Sequence, residues 1–143
     1  MKMDQNKATI LNFVSKYRLC VLATCENNIP ESALVDFIMT ADLEIIFNTY
    51  TTSKKYKNLK KNPIISVVIG FGDELKTLQY YGVVKELEGH QIEEVIEKYG
   101  QKTGFSRPWK IRDMRYFKVK PTWINLSDFS QYPPKEIELN FKY

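Results

Sequence analysis

Hydroxyl and lysine side chains are concentrated in one stretch of the chain, between Phe47 and Pro63, which reads FNTYTTSKKYKNLKKNP. An apolar run ends at Phe47 and a proline closes the stretch, a pattern that predicts a strand, a turn and a short helix. Backbone N–H groups and hydroxyls at the start of a helix can donate hydrogen bonds to an anion, and Lys54 and Lys55 would add positive charge. The stretch therefore predicts a phosphate site. The alternative from local chemistry is a solvated basic helix between two strands.

Composition indicates one compact domain, residues 1–143. The chain has 143 residues, 43% of them hydrophobic, which is enough for a packed core. The formal net charge of +4 is small, and the basic residues are concentrated at 54–61 and 102–120. This distribution suits a small anionic ligand and lacks the basic stripe of a dedicated nucleic-acid binder, so we expect no nucleic-acid partner.

The two cysteines and the single histidine exclude two common kinds of site. Cys20 and Cys25 are the only cysteines of the chain, so neither a disulfide framework nor a zinc site can be assembled from the sequence. Residues 1–7 lack the apolar core of a signal peptide, and no stretch approaches the roughly 18 apolar residues of a membrane span. We therefore expect a cytoplasmic protein with reduced thiols and no membrane partner.

The elements that would position the basic stretch are mostly strands. Strand patterning occurs at 19–24, 31–39, 43–48, 64–71, 75–87, 115–120 and 122–126. The first of these, LCVLAT, is typical of a strand buried on both faces or of a barrel wall. Gly82 lies in the middle of the long fifth strand and indicates a bulge or a close approach to a ligand. The tail 127–143 either adds an edge strand or remains extended.

Two further segments have helical periodicity. An N-terminal helix, capped by Asp4 or Asn6, would place its apolar residues on one face and pack as a lid on the sheet; these residues are Ile10, Leu11, Phe13, Val14 and Tyr17. A helix after the fifth strand ends at Gly100. His90 stands at its start and is interpreted as a solvated capping residue, because no nucleophile or carboxylate is tied to it by spacing.

This order of elements predicts a mainly β (α+β) fold. Strands joined by short turns, with helices inserted after the third and fifth, are accommodated by a closed or split antiparallel barrel of six to seven strands with peripheral helices. The barrel core would span about residues 14–126. Closure would remove the exposed sheet edges.

Several features occur together in the order found in one known family. They are the opening strand at 19–24, Pro30 before the second strand, Phe47 and Thr49, the Ser53-Lys54-Lys55 triplet, Asn62-Pro63 followed by Ser66, and a strand centred on Gly82. In these features the chain resembles the pyridoxamine 5′-phosphate oxidase-like, FMN-binding split-barrel proteins, from about Val14 to about Asn125.

The resemblance implies a homodimer with FMN in a groove between the two barrels. The residues matching Ser53, Lys54 and Lys55 hold the phosphate in relatives, and those matching Thr49 and Tyr50 contact the flavin nearby. The ring is lined, largely through backbone, by the residues matching Ser32, Ala33, Leu34 and Val35. The cofactor implied is FMN, with a small-molecule substrate.

Two more polar residues are candidates for the ring. Thr77 and Gln79 share one face of the fifth strand, where relatives place a glutamine, and Gln79 is the preferred contact. Its alternative is a solvent-facing residue on an alternating strand. Trp109 and Trp123 lie in the region that reaches toward the partner's flavin in relatives. Either could stack on the ring or border the substrate space, and either could instead anchor the core or the dimer interface.

The sequence departs from the founding enzyme in two places. Residues 131–143 contain neither arginine nor histidine, although that enzyme binds its substrate phosphate with such residues near its C-terminus. The basic residue on its second strand is replaced here by Ser32 or Ala33, which places more of the phosphate binding on Lys54 and Lys55. Both departures argue against oxidation of pyridoxamine phosphate.

Three functions remain open from the sequence. The leading one is a flavin oxidoreductase that passes electrons from a reduced nicotinamide or similar donor to a small acceptor. The second is a non-catalytic protein that stores or senses flavin, for instance in a stress response, and it is favoured by the lack of an evident acid–base pair. The third is a barrel that holds another cofactor, such as a deazaflavin or haem.

Overall fold

The fold is given by a computed structural model that describes residues 2–70, 72, 74–100 and 113–142. The described residues form three helices and seven strands, here numbered in chain order. The helices are α1 (Lys2–Val14), α2 (Lys54–Lys61) and α3 (Gly89–Tyr99). The strands are β1 (Leu19–Glu26), β2 (Ile29–Met39), β3 (Ile45–Tyr50), β4 (Ile64–Ile69), β5 (Lys76–Glu86), β6 (Met114–Asp128) and β7 (Lys135–Asn140).

Six of the strands close into an antiparallel barrel. Their order is β3-β2-β1-β4-β5-β6, and pairing of β3 with β6 completes the ring. The seventh strand, β7, pairs only with the second half of β6 and lies beside the barrel as an edge. The predicted mainly β split barrel is confirmed, and the tail provides the edge strand that was one of its two predicted states.

Burial alternates along the barrel strands, as expected when one face of each strand packs on a core. In β5 the buried residues are Leu78, Tyr80, Gly82 and Val84, while Gln79, Tyr81 and Val83 are exposed. The first strand, β1, follows the same rule, with Cys20, Leu22 and Thr24 buried and the intervening residues half-buried. Its predicted burial on both faces is therefore wrong, and the barrel-wall alternative is right.

The helices cover the barrel at three places. Ile10, Phe13 and Val14 of α1 belong to the barrel core, which confirms the predicted buried face. Leu59 of α2 joins the same core. Val95 of α3 packs instead in a second cluster on the outside of the barrel, together with Ile46, Leu87, Met114 and Tyr116. No helix within the described residues has both the length and the apolar character needed to cross a membrane.

Several predicted boundaries are wrong: the predicted strands 115–120 and 122–126 are one strand, β6, and three other boundaries have a local reason. The third strand begins at Ile45 rather than Leu43, because Leu43 has a φ of 64° in the turn and accepts a hydrogen bond from the Tyr80 hydroxyl at 2.7 Å. The fourth strand ends at Ile69, since the next residue, Gly70, has a φ of 90°. The helix α1 begins at Lys2, so Asp4 lies inside its first turn instead of capping it.

Gly82 lies at a bulge, which was one of the two roles predicted for it; the other was a close approach to a ligand. The register between β5 and β6 shifts there, with Tyr81 opposite Trp123 but Gly82 opposite Pro121. A Cβ at Gly82 would lie 2.5 Å from Val119 Cγ1 and 2.6 Å from the Lys120 carbonyl oxygen. The glycine is therefore required by strand packing inside the barrel, and β6 continues through Pro121, a residue that a bulge tolerates.

Candidate functional site

The predicted contact stretches 32–35 and 49–50 flank an opening in the barrel wall. Strands β2 and β3 pair only from Phe37 opposite Phe47 to Met39 opposite Ile45. Both strands continue beyond that ladder, and the same register would set Val35 opposite Thr49 and Leu34 opposite Tyr50. Over residues 48–50, β3 is paired among the described residues only on its other edge, with β6, where Thr49 lies opposite Arg115. We call the gap between residues 29–36 of β2 and residues 48–50 of β3 the β2–β3 cleft.

Within the described part of the chain, the backbone of β2 has groups facing this cleft that no strand pairing uses. Phe37 donates its N–H to Arg18 on the β1 side, and Thr40 donates its N–H to Glu44 on the β3 side. Hydrogen-bond direction alternates along an antiparallel strand. The N–H and C=O groups of Ser32 and Leu34 are therefore directed toward the β2–β3 cleft.

The side chains of the same stretch do not all face this opening. Ser32 and Leu34 are exposed on the outer face, and Leu34 is 57% exposed. Ala33 is half-buried and Val35 is buried in the barrel core. The side chains of Ala33 and Val35 therefore do not share the outer face with Ser32 and Leu34, and the backbone polar groups of Ala33 and Val35 are directed to β1.

The helix α2 begins at one end of the cleft and is capped by Ser53. The Ser53 Oγ accepts a hydrogen bond from the Tyr56 N–H at 3.2 Å, donates to the Tyr50 carbonyl oxygen at 2.9 Å, and lies 2.9 Å from Thr49 Oγ1. Thr49 is itself buried. These two hydroxyls, both predicted ligand contacts, thus fix the turn between β3 and α2. The first-turn N–H groups of Lys54 and Lys55 have no partner within the helix and remain the donors for an anion.

The two predicted phosphate-binding lysines differ in their surroundings. Lys54 is 84% exposed in its side chain, and its Nζ lies 3.8 Å from Glu31 Oε1 on β2. Lys55 is half-buried and forms no ion pair with the residues that the structure describes. Of the two, Lys55 has the less compensated positive charge.

Gln79 and Trp123 lie on the outer face of the barrel, away from the β2–β3 cleft of their own chain. Cross-strand pairs place Leu34, Val21, Val68 and Gln79 in one row, so three strand spacings, about 14 Å along the wall, separate the ends. A parallel row runs from Ser32 through Ala23, Ser66 and Tyr81 to Trp123. The structure thus brings 32–35, 49–50 and 53–55 together and leaves Gln79 and Trp123 apart from them.

This outer face carries an exposed apolar surface that the sequence interpretation did not assemble. We call it the outer apolar face; its members are Leu34, Ile64, Val68, Tyr81, Val83 and Trp123. The first five are between 37% and 63% exposed, and the Tyr81 and Trp123 rings lie 4.7 Å apart. Tyr81 could have been found from the sequence, because it shares a strand face with Gln79. The remaining members depend on register between strands, which the sequence does not reveal.

Two cavities adjoin these surfaces. One of about 440 Å³ opens on the outer face, next to the aromatic pair, and is lined by residues that include Cys25, Ser66 and Tyr81. Another of about 580 Å³ lies at the far end of β2, between the end of α1 and Tyr99 of α3. None of the predicted cofactor contacts lines the larger cavity.

Of the remaining singled-out residues, the structure describes His90 and Cys20, and neither lies at the cleft. His90 is exposed near the start of α3, where Gln91 Oε1 accepts the Glu88 N–H at 2.9 Å, so the predicted capping role of His90 is wrong. Cys20 is buried in the core, and burial raises the pKa of its thiol to about 12. Trp109, with the neighbouring Arg107 and Lys110, lies outside the described residues.

Comparisons with solved structures agree with this architecture. A Clostridium acetobutylicum protein related to general stress protein 26, of the pyridoxinephosphate oxidase family, superposes with a TM-score of 0.73 at 17% identity, covering 96% of this chain and 95% of that one. A pyridoxamine 5′-phosphate oxidase-related, FMN binding protein from Nostoc punctiforme has a TM-score of 0.68 at 13% identity, with 95% of both chains covered. A haem binding protein from Mycobacterium smegmatis has a TM-score of 0.75 at 13% identity and is covered over 57% of its length, against 96% of this chain.

At these identities the solved structures establish the fold alone. A search of curated proteins gave no significant match. The sequence itself matches the family model described as pyridoxamine 5′-phosphate oxidase over residues 7–128, which is most of its length. The chain therefore belongs to the pyridoxamine 5′-phosphate oxidase family.

Proposed function

We propose that the chain binds FMN in the β2–β3 cleft and uses it as an oxidoreductase, passing electrons from a reduced nicotinamide or similar donor to a small acceptor. The observation that supports this most directly is the continuity of the cleft with the start of α2. An unpaired strand edge, which can hydrogen-bond a planar heterocycle, runs toward a helix start that can bind a phosphate.

The residues at the phosphate end fit a dianion. The N–H groups of Lys54 and Lys55, which have no acceptor among the described residues, point along the helix axis, where the helix dipole favours negative charge, and the side chains of the same two lysines carry positive charge. A lysine ammonium about 4 Å from a phosphate oxygen contributes on the order of a few kcal/mol at the effective dielectric of a protein surface. Ser53 acts here by holding the turn that exposes these donors.

The residues at the ring end fit the polar edge of a flavin. The backbone N–H and C=O groups of Ser32 and Leu34 supply both donors and acceptors along one edge. Tyr50, 47% exposed at the end of β3, borders the opposite side. When bound, FMN supplies the hydride and electron chemistry, and the protein holds and orients it and keeps water from its ring.

A second copy of the chain would complete the site. The outer apolar face brings several exposed apolar side chains together on neighbouring strands, and contiguous apolar patches commonly mark protein interfaces. Gln79 and Trp123 are too far along their own barrel wall to contact a ring in their own cleft. In a homodimer formed through this face they could approach the ring held by the partner. We place this assembly in the cytoplasm, where Cys20 and Cys25 would stay reduced.

A different cofactor is the main alternative. The Mycobacterium smegmatis neighbour binds haem, so the barrel itself does not select flavin. Haem iron is commonly held by histidine. The only histidine of this chain is exposed on α3 and not at the cleft, which favours FMN over haem.

The absorption spectrum of the purified protein, with and without added FMN, tests the cofactor. We expect flavin bands that stay with the protein through gel filtration, whereas a Soret band would replace the proposal with haem. Anaerobic addition of NADH or NADPH then tests the reaction. Bleaching of the flavin band at a useful rate supports the oxidoreductase, and a bound flavin that no donor reduces would leave a flavin store or sensor.

A further inference from the structure

Most of the positive charge on α2 is already matched by carboxylates of the barrel. Lys61 Nζ lies 2.8 Å from Glu26 Oε1, Lys60 Nζ lies 4.0 Å from Glu86 Oε1, and Lys54 Nζ lies 3.8 Å from Glu31 Oε1. Two of these pairs lie at the C-terminal end of the helix. The Glu31 pair is different, because it lies at the helix start where the anion is proposed to bind.

Glu31 is held by the fold rather than by Lys54. The buried Asn58 donates from Nδ2 to Thr24 Oγ1 at 2.9 Å and to Glu31 Oε2 at 3.4 Å. Thr24 is also the cross-strand partner of Glu31, so the carboxylate is tied to both β1 and α2. Asn58 lies one helical turn after Lys54, on the same face of α2.

The more exposed member of the pair is the lysine. The Lys54 side chain is 84% exposed, against 33% for Glu31. An exposed ion pair at 3.8 Å is weak and exchanges readily with another anion. A phosphate arriving at the start of α2 must therefore share Lys54 with a carboxylate that stays in place.

We propose that Glu31 is an affinity-setting residue of the anion site, a fixed internal anion that competes with the ligand's phosphate for Lys54. This rests on the proposed function, since the competitor matters only if a phosphate-bearing ligand binds at α2. Glu31 lowers affinity for the phosphate end and leaves the ring end unaffected. The ligand class that it penalises is any anion at the helix start, whether the phosphate of FMN or free inorganic phosphate.

The test is Glu31→Gln, which keeps the oxygen that accepts from Asn58 and removes the charge. We expect FMN to bind about two- to fivefold more tightly, the range set by an exposed ion pair. Riboflavin, which lacks the phosphate, should bind with unchanged affinity. Glu26→Gln is the matched control, because it removes the same charge from an ion pair at the other end of α2. In a Lys54→Met background the effect of Glu31→Gln should shrink to less than half.

Titration with inorganic phosphate, followed by the amide NMR signals of residues 54–56, separates this proposal from the proposed function. Tighter phosphate binding in Glu31→Gln, with no FMN binding by any variant, would support the competitor and refute the flavoprotein. FMN binding that Glu31→Gln leaves unchanged, weakens, or alters no more than Glu26→Gln does would refute the competitor and leave the flavoprotein intact. Absence of both FMN and phosphate binding in all variants would refute both.

Discussion

At the scale of single residues, the account depends on which charges at the start of α2 are free to meet an anion. Lys55 has no ion-pair partner among the described residues, whereas Lys54 shares its ammonium with Glu31. The Ser53 hydroxyl, accepting from Tyr56 and donating to Tyr50, is used in the cap. Loss of that cap would lower the stability of the fold by about 1 kcal/mol. It would not remove a direct contact with the ligand.

The two lysines should therefore contribute unequally to FMN affinity. Replacing Lys54 and Lys55 together with Met should weaken FMN binding at least tenfold, or about 1.4 kcal/mol or more, with the larger share lost in Lys55→Met alone. Fluorescence titration of FMN measures both. Lys57→Met, an exposed lysine one turn later in the same helix, is the control and should change affinity less than twofold. If the folded double variant bound FMN with unchanged affinity, the proposed phosphate site at the start of α2 would be refuted.

At the scale of elements, the cleft exists because β2 and β3 separate after three paired residues. β3 pairs with β2 over residues 45–47, while its other edge stays paired with β6 over residues 45–50, so the barrel wall opens beside the start of α2. Between β5 and β6, by contrast, the bulge at Gly82 lets the two strands remain paired across Pro121.

Gly82→Ala should destabilise the barrel without touching the ligand. Its Cβ would press on Val119 and on the Lys120 carbonyl, and overpacking of this kind costs about 1–3 kcal/mol. Urea unfolding measures the loss. Gly89→Ala is the matched control, because nothing lies within 4 Å of its added Cβ. Equal stabilities for the two variants would contradict the packing reason given for the glycine.

The ion pair between Lys16, which follows α1, and Glu74, which precedes β5, should make the stability of the fold depend on pH. Glu74 accepts a hydrogen bond from Lys16 Nζ at 2.8 Å, which lowers the pKa of its carboxyl below the ordinary value of 4.5. A carboxyl with a lowered pKa stabilises the fold above its unfolded-state pKa, and this contribution is lost as pH falls through the folded-state value.

Glu74→Gln should accordingly lower Tm at pH 7, and the difference from the parent protein should disappear once the pH falls below the lowered folded-state pKa of Glu74. Thermal melts across that range provide the measurement. Glu93→Gln, at an exposed position on α3, should shift Tm little at any pH. A Tm difference that persists at low pH would mean that Glu74 acts through packing and not through its charge.

The sequence predicted most of the helices and strands, but not the contacts between them. Apolar patterning and turn residues in the sequence predicted the strands. The spacing of the apolar residues Ile10, Phe13 and Val14 predicted the buried face of α1. Leu43 was misplaced because a positive φ at a buried leucine has no sequence signal. The acidic partners of α2 were missed because Glu26, Glu31 and Glu86 come from three different strands.

At the scale of the whole molecule, two surfaces of one barrel carry the predicted contacts. The β2–β3 cleft holds the residues predicted to contact the phosphate and, through backbone, the ring, and the outer face of the barrel holds Gln79 and Trp123. The sequence supplied the residue types for both places, because the motifs are local. It could not show that Gln79 and Trp123 lie away from the cleft of their own chain, since that follows from strand order and register. In the proposed homodimer, Gln79 and Trp123 of one copy would approach the β2–β3 cleft of the other.

The oligomeric state tests this reading. Light scattering should give a mass of twice 16.8 kDa for the parent protein. Val68→Lys places a charge in the outer apolar face and should shift the protein toward the monomer, with weaker FMN binding. Tyr132→Lys, at an aromatic residue that is 95% exposed outside that face, should stay dimeric. A monomeric parent protein that binds FMN fully would refute the shared site.

The most direct test of the central claim is a crystal structure of the protein with FMN. We expect the phosphate within hydrogen-bond distance, about 3 Å, of the N–H groups of Lys54 and Lys55, and the ring edge along the backbone of Leu34. FMN found in the cavity between α1 and Tyr99, or a phosphate bound away from the start of α2, would contradict it.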